Sequence, residues 1–472
     1  RVTSSVHSRA DRARRGGETS GSVLFSHTVQ GQIRNRKCGP PHAPRDPPGW
    51  GAMRDQAADV LIVGAGLAGL TCARELVRAE LTPLVIEAAD CVGGRVRTDA
   101  VDGFLLDRGF QVLLTAYPTT RQVLDYDRLD LRPFEAGALV RVEGEFRRIV
   151  DPFRRPGAVL ETLSAPVGTF GDKLRVARLA LSLRRDSVEE ILARDESTTR
   201  DRLQALGFSP KMIEVFFRPF LGGVFLDADL TTSSRMFEFV FKMFGAGPVA
   251  VPAAGMGAIS GQLAGDLRSG SIRTGAPVAS VTRDSVTLES GERLKGNAVV
   301  VATDGRTARR LANPGDIPPF RPALCWYFEA VEPPVEEGIL ILDGDGHGPV
   351  TNLAVMSQVA DTYAPSGRQL ISATVLGASR PSTELLGGIR SQMRKWFGVQ
   401  VDGWREIGFY DIDAALPDQS PGQGGVCARP TRTEDGLHVC GDHRVHGSIE
   451  GAIQSGLLAA EQVIERLAHG LD

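Results

Sequence analysis

Features that would mark a membrane, nucleic-acid-binding or fibrous protein are missing from this sequence. None of its 472 residues belongs to a run of about 18 consecutive apolar positions, so no membrane-spanning helix is predicted. The 54 Lys and Arg residues nearly balance 57 Asp and Glu residues, and the formal net charge of -3 removes the broad electrostatic argument for a nucleic-acid partner. The composition, 42% hydrophobic and 24% charged, is globular, and the length predicts roughly two to four domains.

Cysteine is scarce and widely spaced, which argues against two further classes. The sequence contains no CxxC pair and no zinc-ligand spacing. A disulfide framework is not expected in so long a chain, because a large hydrophobic core can stabilise it. We therefore expect reduced thiols, no metal site and a cytoplasmic location, with peripheral contact to a membrane left open. The cysteines are Cys38, Cys72, Cys91, Cys325, Cys427 and Cys440.

The first 52 residues differ from the rest of the chain. They contain nine basic residues against three acidic ones, and Pro, Gly and Ser interrupt every apolar period. The first methionine is Met53. We interpret residues 1–52 as a disordered or non-native N-terminal extension, with a transit peptide as the alternative. The pair Arg14-Arg15 lacks the apolar segment that follows in a twin-arginine export signal.

The most informative segment begins with a short apolar strand. Residues 59–63 read Asp-Val-Leu-Ile-Val, and the turn Gly64-Ala-Gly-Leu-Ala-Gly69 leads from them into an amphipathic helix. A second strand over residues 84–87 ends at Glu87, about 20 residues after the first glycine. A strand, a GxGxxG turn, a helix, a strand and an acid in this order predict a dinucleotide-binding βαβ unit.

Each position of the glycine turn has a physical role. Gly64 permits the tight turn, Gly66 lets the backbone approach a pyrophosphate, and Gly69 lets the helix pack closely on the strand. Leu67 and Ala68 begin the helix, where free N–H groups and the helix dipole favour anions. The turn is therefore expected to bind the phosphates of a dinucleotide.

The segment after the second strand separates FAD from NAD. Glu87 is expected to accept hydrogen bonds from the adenosine ribose, and Gly93-Gly94-Arg95 follows it closely. Here the sequence resembles the flavin amine oxidase and phytoene (carotene) desaturase superfamily, whose members continue from the ribose acid into a GGR segment along the FAD pyrophosphate. The resemblance implies that Arg95 pairs with the diphosphate. It extends into Leu-Asp-Arg-Gly-Phe, where Gly109 is implied to bring its backbone near the flavin ring.

Two distant segments complete the resemblance. A hairpin in the middle of the chain is similar to the family's return strands, which implies that the Val278 backbone contacts the adenine. Near the C-terminus, Gly441-Asp442 is implied to hold the ribityl chain. The following helix, with Gly451 and Ala452, is implied to aim its N-terminus at the pyrimidine edge of the flavin. Such a terminus stabilises the negative charge of a reduced flavin.

The resemblance also implies a topology. The expected fold is α/β, with a Rossmann-like FAD-binding domain of the glutathione-reductase type assembled from discontinuous segments, and an inserted α+β substrate domain. Residues 120–250 are expected to be mostly helical, and residues 320–415 to be richer in strands. The FAD-binding domain is expected at 57–110, 265–312 and 430–472, and the substrate-binding domain at 111–264 and 313–429.

Phenylalanine is concentrated in one segment. Eight of the 20 phenylalanines fall between residues 216 and 244. One interpretation is an apolar substrate channel or a membrane-contacting lip. The other is helical core, because Phe237, Val240, Phe241 and Phe244 fit one face of a helix. Packing is the commoner origin of such a stripe, and both interpretations stay open here.

One departure from the family pattern bears on the substrate. Flavin amine oxidases carry a tyrosine just before the C-terminal helix, where an aromatic pair holds the amine nitrogen, whereas this sequence has Ser448, as carotene desaturases do. None of the lysines can be assigned to the flavin-side position that amine oxidases use, so no catalytic residue is assigned. His438, His443 and His446 lie close in sequence, but their spacing does not predict a metal site.

The sequence therefore predicts an FAD-dependent oxidoreductase that abstracts hydride from an apolar, unsaturated small molecule, in the manner of carotene desaturases. O2 or a quinone is the expected electron acceptor. A flavin amine oxidase or a protoporphyrinogen oxidase-like enzyme is the alternative within the superfamily. A flavin-free binding protein similar to GDP dissociation inhibitors is the alternative of another class, and Glu87 and Arg95 argue against it. A pyridine-nucleotide dehydrogenase would not need Gly441-Asp442.

Overall fold

The computed structural model describes residues 58–150, 165–377, 380–423 and 429–469. The extension expected over residues 1–52 lies outside these ranges. Within them, no helix combines the length and the hydrophobicity needed to cross a bilayer.

The cysteines differ in part from the expectation. Cys72, Cys325 and Cys440 are free and buried. Cys91 is disulfide-bonded, so the expectation of reduced thiols is wrong for this residue. The expectation was drawn from the size of the core, whereas a disulfide requires only that the fold bring two thiols to bonding distance.

A five-stranded parallel sheet carries the glycine turn. Its strands are short apolar runs, and β1 is buried along its whole length, as is usual for a parallel strand with both faces covered. The order is β10-β2-β1-β14-β20, so strands from distant parts of the chain lie side by side. The strands are β1 (Val60–Val63), β2 (Pro83–Ile86), β10 (Ile272–Arg273), β14 (Ala298–Val301) and β20 (His438–Val439).

A seven-stranded sheet forms a second layer, in the order β19-β15-β18-β17-β16-β7-β8. All its pairs are antiparallel except β16 with β7. One face packs on a core around Trp326 and Phe328, which also contacts the helix Thr383–Phe397. The strands are β7 (Gly137–Val142), β8 (Glu145–Val150), β15 (Phe320–Ala330), β16 (Leu340–Asp343), β17 (Val350–Val355), β18 (Gln369–Val375) and β19 (Arg405–Pro417).

The described residues also form three small antiparallel sheets. The first contains β3 (Thr98–Val101) and β4 (Phe104–Asp107). The second contains β5 (Leu113–Leu114), β6 (Leu131–Pro133) and β9 (Val249–Pro252). The third contains β11 (Val278–Thr282), β12 (Ser285–Leu288) and β13 (Arg293–Lys295).

Helices cover the sheets and fill the space between them. The α-helices are α1 (Leu67–Arg78), α2 (Pro118–Val123), α3 (Tyr126–Leu129), α4 (Phe170–Arg185), α5 (Val188–Leu192), α6 (Thr199–Ala205), α7 (Pro210–Met212), α8 (Arg218–Phe225), α9 (Ser234–Ala246), α10 (Gly257–Gly265), α11 (Gly305–Ala312), α12 (Met356–Val359), α13 (Thr383–Phe397) and α14 (Ile449–His469). A π-helical turn spans Ile213–Phe217, and 3₁₀ turns span Asp361–Tyr363, Gly398–Gly403 and Asp442–Arg444.

The expectation that residues 120–250 are mostly helical is wrong over residues 131–150. Residues 131–150 form three strands, β6, β7 and β8. The strand β7 pairs in parallel with β16, so that Ala138 lies beside Leu340, about 200 positions later in the chain. Such pairing is long-range, and a local hydrophobic pattern does not reveal it.

Candidate functional site

A cavity of about 680 Å³ lies at the carboxyl ends of β1, β14 and β20. In a parallel sheet this edge is where ligands bind. The cavity continues under the seven-stranded sheet as far as helices α8 and α9. Of the residues predicted from the sequence to bind the cofactor, Gly64, Gly66, Leu67, Ala68, Glu87, Gly93, Gly94, Arg95, Gly109, Val278, Gly441, Asp442 and Ala452 line it, whereas Gly69 and Gly451 do not.

The glycine turn brings the chain close to its neighbours at two positions. Gly64 has a φ of 109°, and a Cβ there would lie 2.7 Å from the Ala302 carbonyl oxygen. A Cβ on Gly69 would overlap the carbonyl oxygen of Gly64. Gly66 has open space around it and lines the cavity. Gly69 therefore serves the packing of α1 on the turn, and Gly66 leaves room for a ligand.

The N-terminus of α1 lacks the usual caps. No side chain caps its first turn, and the turn contains no acid. Leu67 and Ala68 line the cavity, so backbone N–H groups at the positive end of a twelve-residue helix face the ligand space. This arrangement favours an anion such as a phosphate.

Glu87 has a second role that the sequence did not reveal. One carboxylate oxygen accepts a hydrogen bond from the Ala65 N–H, and the other accepts one from the Ala89 N–H, each at 2.8 Å. Ala65 lies inside the glycine turn, so Glu87 fixes the turn as well as lining the cavity. Each oxygen can accept more than one hydrogen bond, which leaves acceptor capacity for a ligand hydroxyl.

The double glycine carries Arg95 over the turn. Gly93 and Gly94 have φ values of 115° and 58°, and a Cβ on Gly94 would lie 3.4 Å from the Gly66 Cα. Arg95 donates to the Asp442 carboxylate at 2.5 Å and to the Ala415 carbonyl at 3.0 Å. The guanidinium has five N–H donors, so donors remain for a phosphate.

Asp442 is the acidic partner of this pair. Its side chain is 5% exposed, whereas that of Arg95 is 32% exposed. Burial alone would raise the pKa of the Asp442 carboxyl, but Arg95 and His443 outweigh it and hold that pKa well below its usual range. Asp442 is therefore a carboxylate at neutral pH. The neighbouring Gly441 has a φ of 148° and donates its N–H to the Ser455 hydroxyl at 3.0 Å.

The second long helix that meets the cavity is α14. Its N-terminus is capped by Ser448, whose hydroxyl accepts from the Gly451 N–H at 2.9 Å and is 2.9 Å from His446 Nδ1. A Cβ on Gly451 would overlap the His446 carbonyl oxygen, so this glycine allows close packing. Ser448 and Ala452 line the cavity.

Gly109 and Val278 lie in different parts of the cavity wall. Gly109 has a φ of 93°, and a Cβ there would lie 2.8 Å from the Ile412 Cδ1 atom. The Val278 carbonyl accepts a hydrogen bond from Arg310 at 3.2 Å. The predicted contact of Val278 with the adenine would therefore use the hydrogen-bonding capacity of the Val278 backbone that Arg310 leaves free.

A buried network behind Gly109 was missed from the sequence. The Asp107 carboxylate accepts from the Thr98 hydroxyl at 2.5 Å, the Met256 N–H at 2.9 Å and the Tyr363 hydroxyl at 2.9 Å. Tyr327 donates to the Asp107 carbonyl at 2.8 Å. Burial raises the pKa of the Asp107 carboxyl to about 6, against these hydrogen bonds. The partners come from distant segments, so no spacing in the sequence predicts the network.

The phenylalanine cluster is divided between the core and the wall of the cavity. Phe217 and Phe237 are fully buried core residues. Phe220, Phe225 and Phe244 line the cavity, together with Met236 and Val240. The end of the cavity away from the glycine turn is therefore apolar and aromatic.

The residues that line the cavity do not include a lysine, and in the described ranges no cluster of His, Cys, Asp and Glu is arranged to hold a metal ion. His438 and His446 are buried, and burial lowers the pKa of each to about 4. Tyr117 also lines the cavity, and burial raises the pKa of its hydroxyl above the usual range. Both histidines and the tyrosine are therefore neutral at physiological pH.

Comparison with protein families gives one extended match. The profile of the family described as flavin containing amine oxidoreductase matches residues 67–464. Curated relatives match over shorter stretches. Putrescine oxidase of Kocuria rosea is 55% identical over 53 residues, which cover 11% of either chain. The 15-cis-phytoene desaturase of Synechococcus elongatus is 43% identical over 65 residues, or 14% of either chain. Protoporphyrinogen oxidase 2 of Arabidopsis thaliana is 26% identical over 164 residues, 35% of this chain and 32% of the relative.

Solved structures match over most of their length. An oxidoreductase from Methanosarcina mazei superposes with a TM-score of 0.64 at 17% identity, covering 85% of this chain and 99% of that one. Wild-type putrescine oxidase bound to putrescine superposes with a TM-score of 0.64 at 19% identity, covering 87% of this chain and 100% of that one. At these identities the likeness shows a shared fold.

Proposed function

Because the chain belongs to the flavin containing amine oxidoreductase family and is an FAD-dependent oxidoreductase, we propose that it abstracts hydride from an apolar, unsaturated small molecule. The observation that carries the proposal is the aromatic end of the cavity, formed by Phe220, Phe225 and Phe244. The names of the relatives divide between amines, phytoene and protoporphyrinogen, so the choice depends on this chain's own residues.

The residues along the cavity fit FAD. The uncapped N-terminus of α1 and the free donors of Arg95 suit its pyrophosphate. Glu87 suits the adenosine ribose, and Val278, which also lines the cavity, would contact the adenine. Asp442 suits the hydroxyls of the ribityl chain, since it is a buried carboxylate. When bound, the flavin supplies a two-electron acceptor for hydride.

The other residues of the chain orient the reactants and exclude water. The 21-residue helix α14 directs its positive end to the cavity, and the Ser448 hydroxyl holds its first turn in place. Phe220, Phe225 and Phe244 offer an apolar surface to a substrate. Loss of a hydride would leave a substrate cation stabilised by the neighbouring double bonds. Release of a proton from the adjacent carbon to water would then complete the new double bond, and no residue of the chain is assigned as the base for that proton.

An amine is the competing substrate. Amine recognition needs a cation-holding cage or a carboxylate near the reacting carbon. The carboxylates along the cavity are Glu87, Glu289, Asp304 and Asp442, and all belong to the segments around the predicted FAD site. Ser448 stands where the amine oxidases of the family carry a tyrosine of the aromatic pair. Both facts favour an apolar substrate.

We also propose that the protein contacts a bilayer, because an apolar substrate could enter the cavity from the membrane. Phe170, Leu174 and Leu181 are 68%, 64% and 48% exposed along one face of α4, and basic residues surround them. An apolar stripe flanked by positive charge suits an anionic membrane surface. We expect Leu174→Glu to reduce co-sedimentation with phosphatidylserine vesicles, and equal sedimentation of both proteins would count against membrane contact.

Two phenylalanines of α9 provide a matched test of the aromatic end. Phe244 and Phe241 are both half-buried, but of the two only Phe244 lines the cavity. We expect Phe244→Asp to abolish anaerobic flavin reduction by polyenes while the flavin stays bound, and Phe241→Asp to preserve it. Equal rates in the two folded variants would contradict the assignment of this end to the substrate.

A further inference from the structure

Two polar residues in the wall of the cavity each have a buried side-chain oxygen without a hydrogen-bond partner among the described residues. Asn352 and Thr374 are 3% and 4% exposed, and both line the cavity. Among the described residues, nothing hydrogen-bonds to Asn352 Oδ1 or to Thr374 Oγ1. A buried polar atom without a partner costs free energy, so a pair of them in an otherwise apolar wall calls for an explanation.

The sheet places the two side chains together. Asn352 on β17 is directly opposite Thr374 on β18, and Cys325 on β15 is opposite Thr374 on its other side. Residues directly opposite on antiparallel strands have Cβ atoms roughly 4.5 to 5.5 Å apart. The register of β17 shifts just before Asn352, and such bulges re-aim side chains.

The fold also makes room for Asn352. A Cβ on Gly223 of α8 would overlap the Nδ2 atom of the Asn352 carboxamide. The glycine therefore allows α8 to pass close to this amide at the cavity wall.

We propose that Asn352 and Thr374 form a subsite for a hydroxyl group carried by the apolar substrate. Both oxygens have less than 1 Å² of accessible surface, so the Asn352 carboxamide and the Thr374 side chain would turn toward a bound hydroxyl. The hydroxyl would then donate to Asn352 Oδ1 and accept from the Thr374 hydroxyl, and so satisfy both residues at once. It does so in either orientation of the carboxamide, because it both donates and accepts. The proposal rests on the proposed function, since it takes the aromatic end as the substrate chamber and names the substrate class more closely.

Other polar groups fit the pair less well. An ammonium has donors only and would lack a carboxylate beside it, since the carboxylates along the cavity belong to the segments around the predicted FAD site. A carboxylate or phosphate would meet the Asn352 oxygen, which is also an acceptor. A carbonyl only accepts, so it would satisfy the pair in one orientation of the carboxamide, the one that presents Nδ2. A hydroxyl satisfies the pair in both orientations, so the pair favours an uncharged group with both functions.

The test uses the flavin-loaded protein and two probes of one skeleton, geraniol and its deoxy hydrocarbon, in equilibrium dialysis. We expect the wild type to bind geraniol about tenfold more tightly, the value of one or two net hydrogen bonds. Asn352→Leu and Thr374→Val should each bring the ratio of the two affinities, geraniol to hydrocarbon, close to one. Ser372→Ala is the matched control, because its hydroxyl lies on the same strand but contacts Cys325 Sγ at 3.2 Å, and it should keep the tenfold ratio.

An equal affinity of the wild type for both probes would overturn the proposal, and so would a preference that persists in both cavity variants. The ratio does not depend on turnover. Failure of the proposed function would instead appear as a flavin that no polyene reduces, while the hydroxyl preference remains intact. The two failures are therefore distinguishable.

Discussion

Arg95 and Asp442 form an ion pair of 2.5 Å between residues 347 positions apart in the chain. The pair joins the segment after the glycine turn to the segment before α14. It lies in the wall of the cavity, so it holds together the two parts of the chain between which the flavin is proposed to bind.

We expect Arg95→Gln to weaken FAD binding by about tenfold to a hundredfold, because a charged donor and the partner of a buried carboxylate are lost together. Titration of the apoprotein with FAD measures the dissociation constant. The double variant with Asp442→Asn should lose less than the sum of the two single losses. Arg78→Gln, on the exposed end of α1, is the control, and a similar FAD affinity in Arg95→Gln and Arg78→Gln would contradict the role of the pair.

Removal of the Glu87 carboxylate should affect both the ligand and the turn. We expect Glu87→Ala to lower FAD affinity by about 1 to 3 kcal/mol through the loss of ribose hydrogen bonds. The apoprotein should also unfold at lower denaturant concentration, because the Ala65 and Ala89 N–H groups lose their acceptor. An unchanged FAD dissociation constant would remove the ribose assignment, whatever happens to the stability.

Two helical glycines allow a matched test of packing. A Cβ on Gly456 of α14 would overlap the Ala68 carbonyl oxygen of α1, whereas a Cβ on Gly261 of α10 meets open space. We expect Gly456→Ala to lower the free energy of unfolding by about 1 to 3 kcal/mol, as overpacking does. Gly261→Ala should raise it by about 0.5 to 1 kcal/mol through helix propensity. Chemical denaturation measures both, and equal shifts would contradict the close packing of α1 on α14.

His438 should make the stability depend on pH. Its ordinary pKa is 6.5, and burial followed by the charges of Arg466 and Arg432 lowers it to about 4 in the folded chain. Between these values the unfolded chain binds more protons, so stability falls as the pH decreases from about 6.5 to about 4. Over this range, the free energy of unfolding of His438→Leu should fall by on the order of 3 kcal/mol less than that of the wild type. Unfolding curves at pH 7 and pH 4 measure the difference, with the exposed His469→Leu as control; parallel losses in all three proteins would contradict it.

Local signals predicted the part of the site that is local in the chain. The turn from Gly64 to Gly69 with Glu87 lies within one βαβ unit, where spacing determines geometry. Arg95 and Asp442 were both predicted to bind the cofactor, but their ion pair was not predicted. The two residues are far apart in the sequence, and only the fold brings them together. The hydrogen bonds from Ala65 and Ala89 to Glu87 were likewise invisible without the folded turn.

Non-local pairing explains most of what was missed. The strands at residues 131–150 depend on a partner near residue 340, and the Asn352–Thr374 pair depends on a register that shifts just before Asn352. The phenylalanine cluster shows the same limit. Its helical period was visible, but the difference between Phe237 in the core and Phe244 on the cavity depends on what packs against each.

The most direct test of the central claim is anaerobic mixing of the flavin-loaded protein with phytoene or hydroxylated polyenes in detergent micelles, and in parallel with putrescine, while the flavin absorbance is recorded. The claim predicts bleaching by at least one polyene and no bleaching by putrescine. Bleaching by putrescine alone would contradict the claim and identify the protein as an amine oxidase.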